Sequence, residues 1–143
     1  MKNFGHVVTR HAQSETIGIL IKRYVDGFVL PVPKNRLSEY QAIAQTASRI
    51  WTDHGALEYW ECGGDDLDTD CSRTFTDMAN ASDGETVIFA WVVFESREAR
   101  DEANEKIMTD SRMAELLKSV APIMDYQRMA HGGFKELVRG KSR

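Results

Sequence analysis

Apolar positions along this chain follow two rhythms, one of two residues and one of three to four. Tyr24-Val25-Asp26-Gly27-Phe28-Val29-Leu30 is a short apolar and aromatic run closed by Pro31-Val32-Pro33, which predicts a strand ending at a rigid turn. From Lys34 to His54 the apolar residues Leu37, Tyr40, Ala44, Ala47 and Trp51 recur at three and four residues, the stripe of an amphipathic helix. Gly55 follows as its natural stop, with His54 in the last turn where a cation is favoured. Ala56 to Cys62 alternates, which predicts a second strand with Glu58 and Glu61 on opposite faces. Thr86 to Phe94 is apolar on both faces, the mark of an interior strand covered on each side. Ser96 can cap a helix over Arg97–Met108, with Ala99, Ala103 and Ile107 inward. Asp110 can cap a shorter helix, in which Met113, Leu116, Leu117 and Val120 recur before Pro122. Arg128 to Phe134 predicts a last strand, and its two glycines suggest a bend or a close backbone approach.

The resulting order is β-α-β-β-α-β with one extra short helix. It predicts an α+β, ferredoxin-like fold: a four-stranded antiparallel sheet with its helices on one face. If Val25, Ile88, Ala90 and Val92 meet the helices, the opposite face carries Tyr24, Asp26, Phe28, Phe89, Trp91 and Val93. An apolar face of that extent marks an interface. A second copy closing sheet on sheet, as a dimeric α/β barrel, covers it most economically.

Composition narrows the class. A chain of 143 residues fits one domain, predicted over residues 24–138, with an N-terminal extension 1–23 and a basic tail 139–143. Basic side chains number 18 against 22 acidic, a net charge of −4, which argues against a nucleic-acid partner. The longest aliphatic stretch, Ile17 to Ile21, is far short of a membrane span. Two cysteines, Cys62 and Cys71, form neither a disulfide framework nor a C-x-x-C pair and suit reduced thiols in a cytoplasmic protein. The extension carries Lys2, Arg10, Lys22 and Arg23 against Glu15 alone, yet lacks the long apolar core and cleavage site of a secretory signal. Its end, Thr16 to Leu20, is β-branched enough to add an irregular strand.

Several blocks carry a resemblance. They are Tyr24-Val25-Asp26-Gly27-Phe28-Val29-Leu30-Pro31-Val32-Pro33, His54-Gly55-Ala56-Leu57-Glu58-Tyr59, Glu61-Cys62 followed by Gly64-Asp65-Asp66, and Glu85-Thr86-Val87 through Trp91. Ser96-Arg97-Glu98-Ala99-Arg100-Asp101 and Arg128-Met129 with Gly132-Gly133-Phe134 complete the set. In these blocks the chain resembles the YbaA-like family of bacterial proteins, whose function is not established. The resemblance spans about Tyr24 to Val138 and implies a dimeric ferredoxin-like α/β barrel in a cytoplasmic protein; it brings no agreed catalytic residues.

Candidate chemistry centres on Asp26, a charge mid-strand between Tyr24 and Phe28 that needs a partner. With the first strand central in the sheet, Trp91 or Arg128 could reach it. Tyr59 and Glu61, one alternation apart, could face the same cavity. Asp26 or Glu61 would then be a catalytic base of raised pKa, Tyr59 and Trp91 the ligand-binding walls, and Arg128 or His131 an anion partner. The purely structural alternative is an Asp26–Arg128 ion pair. Asp66-x-Asp68-x-Asp70 imitates the opening of a calcium loop, but Cys71 replaces the required glycine and Asp77 the closing Glu; the stretch Gly63–Glu85 suits a solvated acidic loop. His6, His11, His54 and His131 show no zinc-ligand spacing, and no nucleotide or nucleophile-elbow motif is present. No metal or cofactor is therefore expected. The expectation is a homodimer binding a small, partly aromatic molecule, with cofactor-independent monooxygenase-like or isomerase-like chemistry; the alternative is a non-catalytic homodimer.

Overall fold

The structure, a computed structural model, describes residues 22–143. The extension through residue 21, with the strand expected at Thr16–Leu20, lies outside the described residues. Strand β1 (Tyr24–Pro33) passes through a 3₁₀ turn, Lys34–Arg36, into helix α1 (Leu37–Asp53). Then come β2 (Glu58–Gly63), the single turn α2 (Phe75–Met78) and β3 (Glu85–Phe94). Helices α3 (Arg97–Met108) and α4 (Ser111–Val120) lead through a second 3₁₀ turn, Tyr126–Arg128, to β4 (Ala130–Lys135). The sheet order is β2-β3-β1-β4 and every neighbouring pair is antiparallel. This is the α+β, ferredoxin-like arrangement that the order of elements predicts.

The expected helix ends are present. The Ser96 hydroxyl accepts from the Ala99 amide at 3.0 Å, and the Asp110 carboxylate accepts from the Arg112 amide at 2.9 Å. Each satisfies an otherwise orphaned donor, for about 1 kcal/mol. Gly55, at φ 115°, turns the chain away from α1 where a side chain would be strained. His54 closes α1 and its Nε2 meets the Asp110 carboxylate at 2.8 Å, while Arg112 bridges Asp110 and Asp53. These contacts fasten the C-terminus of α1 to the N-terminus of α4, and Arg112 with His54 holds the Asp110 carboxyl well below the usual carboxylate range.

Three expectations are corrected. β1 does not stop at Leu30 but continues through Pro31 and Pro33, opposite Val87 and Glu85. β4 pairs with β1 only as far as Val29. The prolines therefore lie where one side of β1 is a free edge and a missing N–H costs little. The second correction is one of phase. Asp26 pairs with Val92, so Tyr24, Asp26, Phe28 and Leu30 share a face with Ile88, Ala90 and Val92. That face packs on the helices: Leu30, Ile88 and Ala90 join Tyr40, Val120 and Ile123, while Val92 and Phe94 join Ile50, Ala103 and Ile107. Val25, not Asp26, belongs to the opposite face. Third, Arg128 is not in the last strand, which begins at Ala130. It sits in the 3₁₀ turn, where the Asp125 carboxylate accepts from the Gln127 amide, and its guanidinium forks onto Glu85 at 2.7 and 2.8 Å.

The face away from the helices is aromatic. Trp60 and Trp91 stack with ring centroids 5.5 Å apart, Phe89 lies against Trp91 at 5.2 Å, and Phe75 of α2 reaches Phe89 at 5.8 Å. Trp60, Phe89 and Phe134 are exposed on it.

Gly133 is required by packing. A Cβ there would run into the Tyr24 ring and hydroxyl, whereas one at Gly132 would make ordinary contact with Phe134. Gly133→Ala is expected to lower unfolding stability in urea by about 1–3 kcal/mol, with Gly132→Ala changing it by less than about 0.5 kcal/mol. Equal midpoints for the two variants would show that the Tyr24 packing does not constrain this strand.

Candidate functional site

Between the sheet and its helices lies a cavity of about 610 Å³, lined mainly by apolar side chains of α1, α3, α4 and all four strands. Its floor is a row of residues in register across the sheet: Glu61 on β2, Ala90 on β3, Phe28 on β1 and His131 on β4. The adjacent row is Tyr59, Val92, Asp26 and Gly133. The small Ala90, between Glu61 and Phe28 in the floor row, leaves room above it.

The structure brings four of the expected site residues to this cavity: Asp26, Tyr59, Glu61 and His131. Glu61 is the deep one. The Tyr40 hydroxyl, carried down from α1, donates to its Oε1 at 2.7 Å. Its Oε2 is buried without a hydrogen-bond partner among the described residues. Burial pushes the Glu61 carboxyl above its ordinary value, and the neighbouring Tyr40 and Tyr59 hydroxyls pull it back only in part. Both tyrosine hydroxyls are pushed up in turn by burial and by the Glu61 charge, so they remain protonated donors at neutral pH. Tyr59 also packs against Trp51, ring centroids 6.0 Å apart. At the other end His131 stacks over Phe28, 6.0 Å apart and nearly parallel.

Asp26 is paired, though not with the expected residue. Arg100, on α3, donates from Nη1 to Asp26 Oδ1 at 2.8 Å and lies 4.7 Å over the Tyr24 ring. Its Nε donates to Asp101 at 2.7 Å. Burial raises the Asp26 pKa and Arg100 opposes the shift. Arg128 is held by Glu85 and by the Asn80 carbonyl, outside the cavity lining, so the Asp26–Arg128 pair does not form. Trp91 pairs with Gly27 and lies on the opposite face of the sheet from Asp26. Neither of these two residues touches this volume.

Two side chains that hold the cavity carboxylates escape a reading of the sequence. Arg100 stands among Glu98, Asp101, Glu102 and Glu105, which suggests a solvated face, yet it lies three and seven residues before Ala103 and Ile107 and so on the buried stripe. Tyr40 is legible as part of an apolar stripe, but nothing in the spacing shows where its hydroxyl lands. Among the described residues no three His, Cys, Asp or Glu side chains gather as metal ligands, and no helix is long and apolar enough to cross a membrane.

The profile of a family described as protein of unknown function, DUF1428, matches residues 23–127. The chain belongs to this family. Within reach of it, the uncharacterized protein YbaA of Escherichia coli K12 is 36% identical over 116 residues, covering 81% of this chain and 97% of YbaA. Among solved structures, a NIPSNAP family protein of unknown function from Agrobacterium tumefaciens shares the fold with a TM-score of 0.54 at 12% identity, covering 81% of this chain and 89% of that one. A putative antibiotic biosynthesis monooxygenase from Nitrosomonas europaea gives 0.51 at 10% identity over 80% and 88%. SnoaB, a cofactor-independent oxygenase from Streptomyces nogalater, gives 0.50 at 12% over 83% and 95%. Identities this low establish fold and not function. The DUF1428 member described here therefore has to be read from its own cavity.

The raised Glu61 pKa has a consequence for stability. Below pH 4.5, the ordinary value, the carboxyl is protonated in both folded and unfolded chains. Above it the unfolded chain loses the proton first, so unfolding free energy falls with rising pH until the folded group also ionises. Glu61→Gln removes that slope. Melting curves from pH 4 to 8 are expected to show the variant gaining on the wild type as pH rises; parallel curves would mean Glu61 titrates normally.

Proposed function

We propose that this protein is a homodimer that binds a small, partly aromatic molecule in the cavity between sheet and helices, with Glu61 as the group that accepts a proton from it. The observation that carries the reading is Glu61 Oε2, a buried carboxylate oxygen without a partner in the wall of an apolar cavity. A buried acceptor left unmatched costs about 1–3 kcal/mol, a cost that a ligand donor would offset. Asp26 has its partner in Arg100 and serves to hold α3 on the sheet, so the base is Glu61.

A carboxylate of raised pKa in a mainly apolar pocket suits proton abstraction from an activated C–H or O–H. The C–H bond breaks, Oε2 takes the proton and the electron pair remains on the substrate as an enolate. In an isomerase-like outcome a proton returns at another atom. In a cofactor-independent monooxygenase-like outcome the carbanion adds dioxygen, and the resulting hydroperoxide loses water. A CH₂ group thus becomes a carbonyl, one oxygen atom entering the product and the other leaving as water. The shared fold with proteins described as oxygenases supports the second outcome by analogy. Tyr59 and Phe28 would flank the bound ring, and His131 would face its outer end.

The dimer part of the reading rests on the open face, where Trp60, Trp91 and Phe89 form a continuous aromatic patch. A second copy covers it with the same patch. The same face would also serve a non-catalytic homodimer, and two experiments separate the readings. A thermal-shift screen of aromatic and quinone-like compounds is expected to give a concentration-dependent rise in melting temperature that Glu61→Gln abolishes. A hit that survives Glu61→Gln would remove Glu61 from the role, and no hit would favour the non-catalytic dimer. Trp91→Glu is expected to convert a dimer into a folded monomer by light scattering; a wild type that is already monomeric would sink the interface.

A further inference from the structure

The cavity has a direction. The floor row Glu61–Ala90–Phe28–His131 crosses all four strands, about 14 Å from end to end at roughly 4.8 Å per strand. At the Glu61 end Oε2, Tyr40 and Ala90 are buried, and a second cleft, lined by Tyr40, Tyr59, Trp60 and Glu61, borders the β2 edge. Toward β4 it opens, with His131 exposed, Tyr126 at 47% and Met108 at 71% exposure. An occupant entering over β4 presents its leading end to Glu61.

The chemistry of the two ends differs. The Glu61 end is aromatic, with Trp51, Tyr59 and Tyr40 around a carboxylate that itself only accepts. Of the charged lining groups, Arg100 is already neutralised by Asp26. The charge of Glu61 is thus left unmatched at that end, which repels carboxylate and phosphate heads. Much of the remaining lining is soft. Met108, Met113, Met124 and Met129, four of the six methionines of the chain, line the cavity. Thioether side chains change rotamer cheaply and fit apolar guests of varied shape.

We propose that the occupant is an elongated, uncharged amphiphile, an aromatic head bearing an O–H donor that seats on Glu61, with an alkyl tail running out along the methionines toward β4. This rests on the reading of the cavity as a ligand site and specifies the class of ligand. A phenol of this kind donates its hydrogen bond to the Glu61 carboxylate, its ring occupies the space over Ala90, and its tail passes Phe28.

The test is titration calorimetry of the full chain with 4-alkylphenols from ethyl to octyl, beside the matching 4-alkylanisoles and octanoate. Each added CH₂ is expected to tighten binding about fourfold until the tail reaches the mouth, after which affinity levels off. Anisoles, lacking the donor, are expected to bind at least about tenfold more weakly. Octanoate is expected not to bind the wild type and to gain affinity in Glu61→Gln, which relieves the charge repulsion. Affinity independent of tail length overturns the tail, and anisoles equal to phenols overturn the head. If none of the series binds while another aromatic from the thermal-shift screen does, this inference fails and the ligand-site reading stands. If no aromatic compound binds at all, both fail.

Discussion

The pleat of β1 decides what this molecule can be. A strand shows alternate side chains to alternate faces, so fixing one residue fixes them all. Asp26 stands opposite Val92, and with that pairing Tyr24, Asp26, Phe28 and Leu30 turn toward the helices. A slip of one residue would send Asp26 and Phe28 to the aromatic face and put Val25, Gly27 and Val29 beneath α1. The cavity would then lose its floor and its charge pair together. Leu30 and Val32, almost wholly buried among Tyr40, Ile88 and Val120, hold the register against that slip.

Two carboxylates share the helix-facing side of the sheet and have different fates. Asp26 meets a guanidinium, which answers its charge and ties α3 to β1 across 74 residues of sequence. Such a pair contributes little net stability in a buried setting but is costly to break, since either partner alone would be an unmatched charge. Glu61 takes the Tyr40 hydroxyl on one oxygen, with the Tyr59 hydroxyl nearby, and no hydrogen bond on the other. The first is a structural clasp. The second is an incomplete one beside an open volume, and the proposed ligand site rests on that incompleteness.

The opposite face follows another logic. Trp60, Phe89 and Trp91 make an aromatic patch there, the surface that the proposed second copy would cover. The likeness to NIPSNAP and oxygenase folds shows the architecture and stays silent on chemistry. Membership of a family without an established function likewise leaves the side chains of the cavity as the source of any reading.

The order of elements, the helix caps and the ferredoxin-like class were determined by the sequence itself. Those features are local: a helical stripe from Leu37 to Trp51, a cap at Ser96, a doubly apolar strand at Val87 to Phe94. Tyr59 and Glu61 share a face for the same reason, since alternation needs no partner strand. What the sequence left open was phase and pairing across distance. It placed Asp26 on the wrong face and gave it Arg128, because the apolar residues of β1 occur in both phases and either parity looks equally good. It hid Arg100 among acidic neighbours and Tyr40 in an apolar stripe. Only the tertiary structure decided these points, because a strand with apolar residues on both faces takes its parity from its partners' register, and a long polar side chain takes its role from whatever the fold brings within 3 Å of its tip.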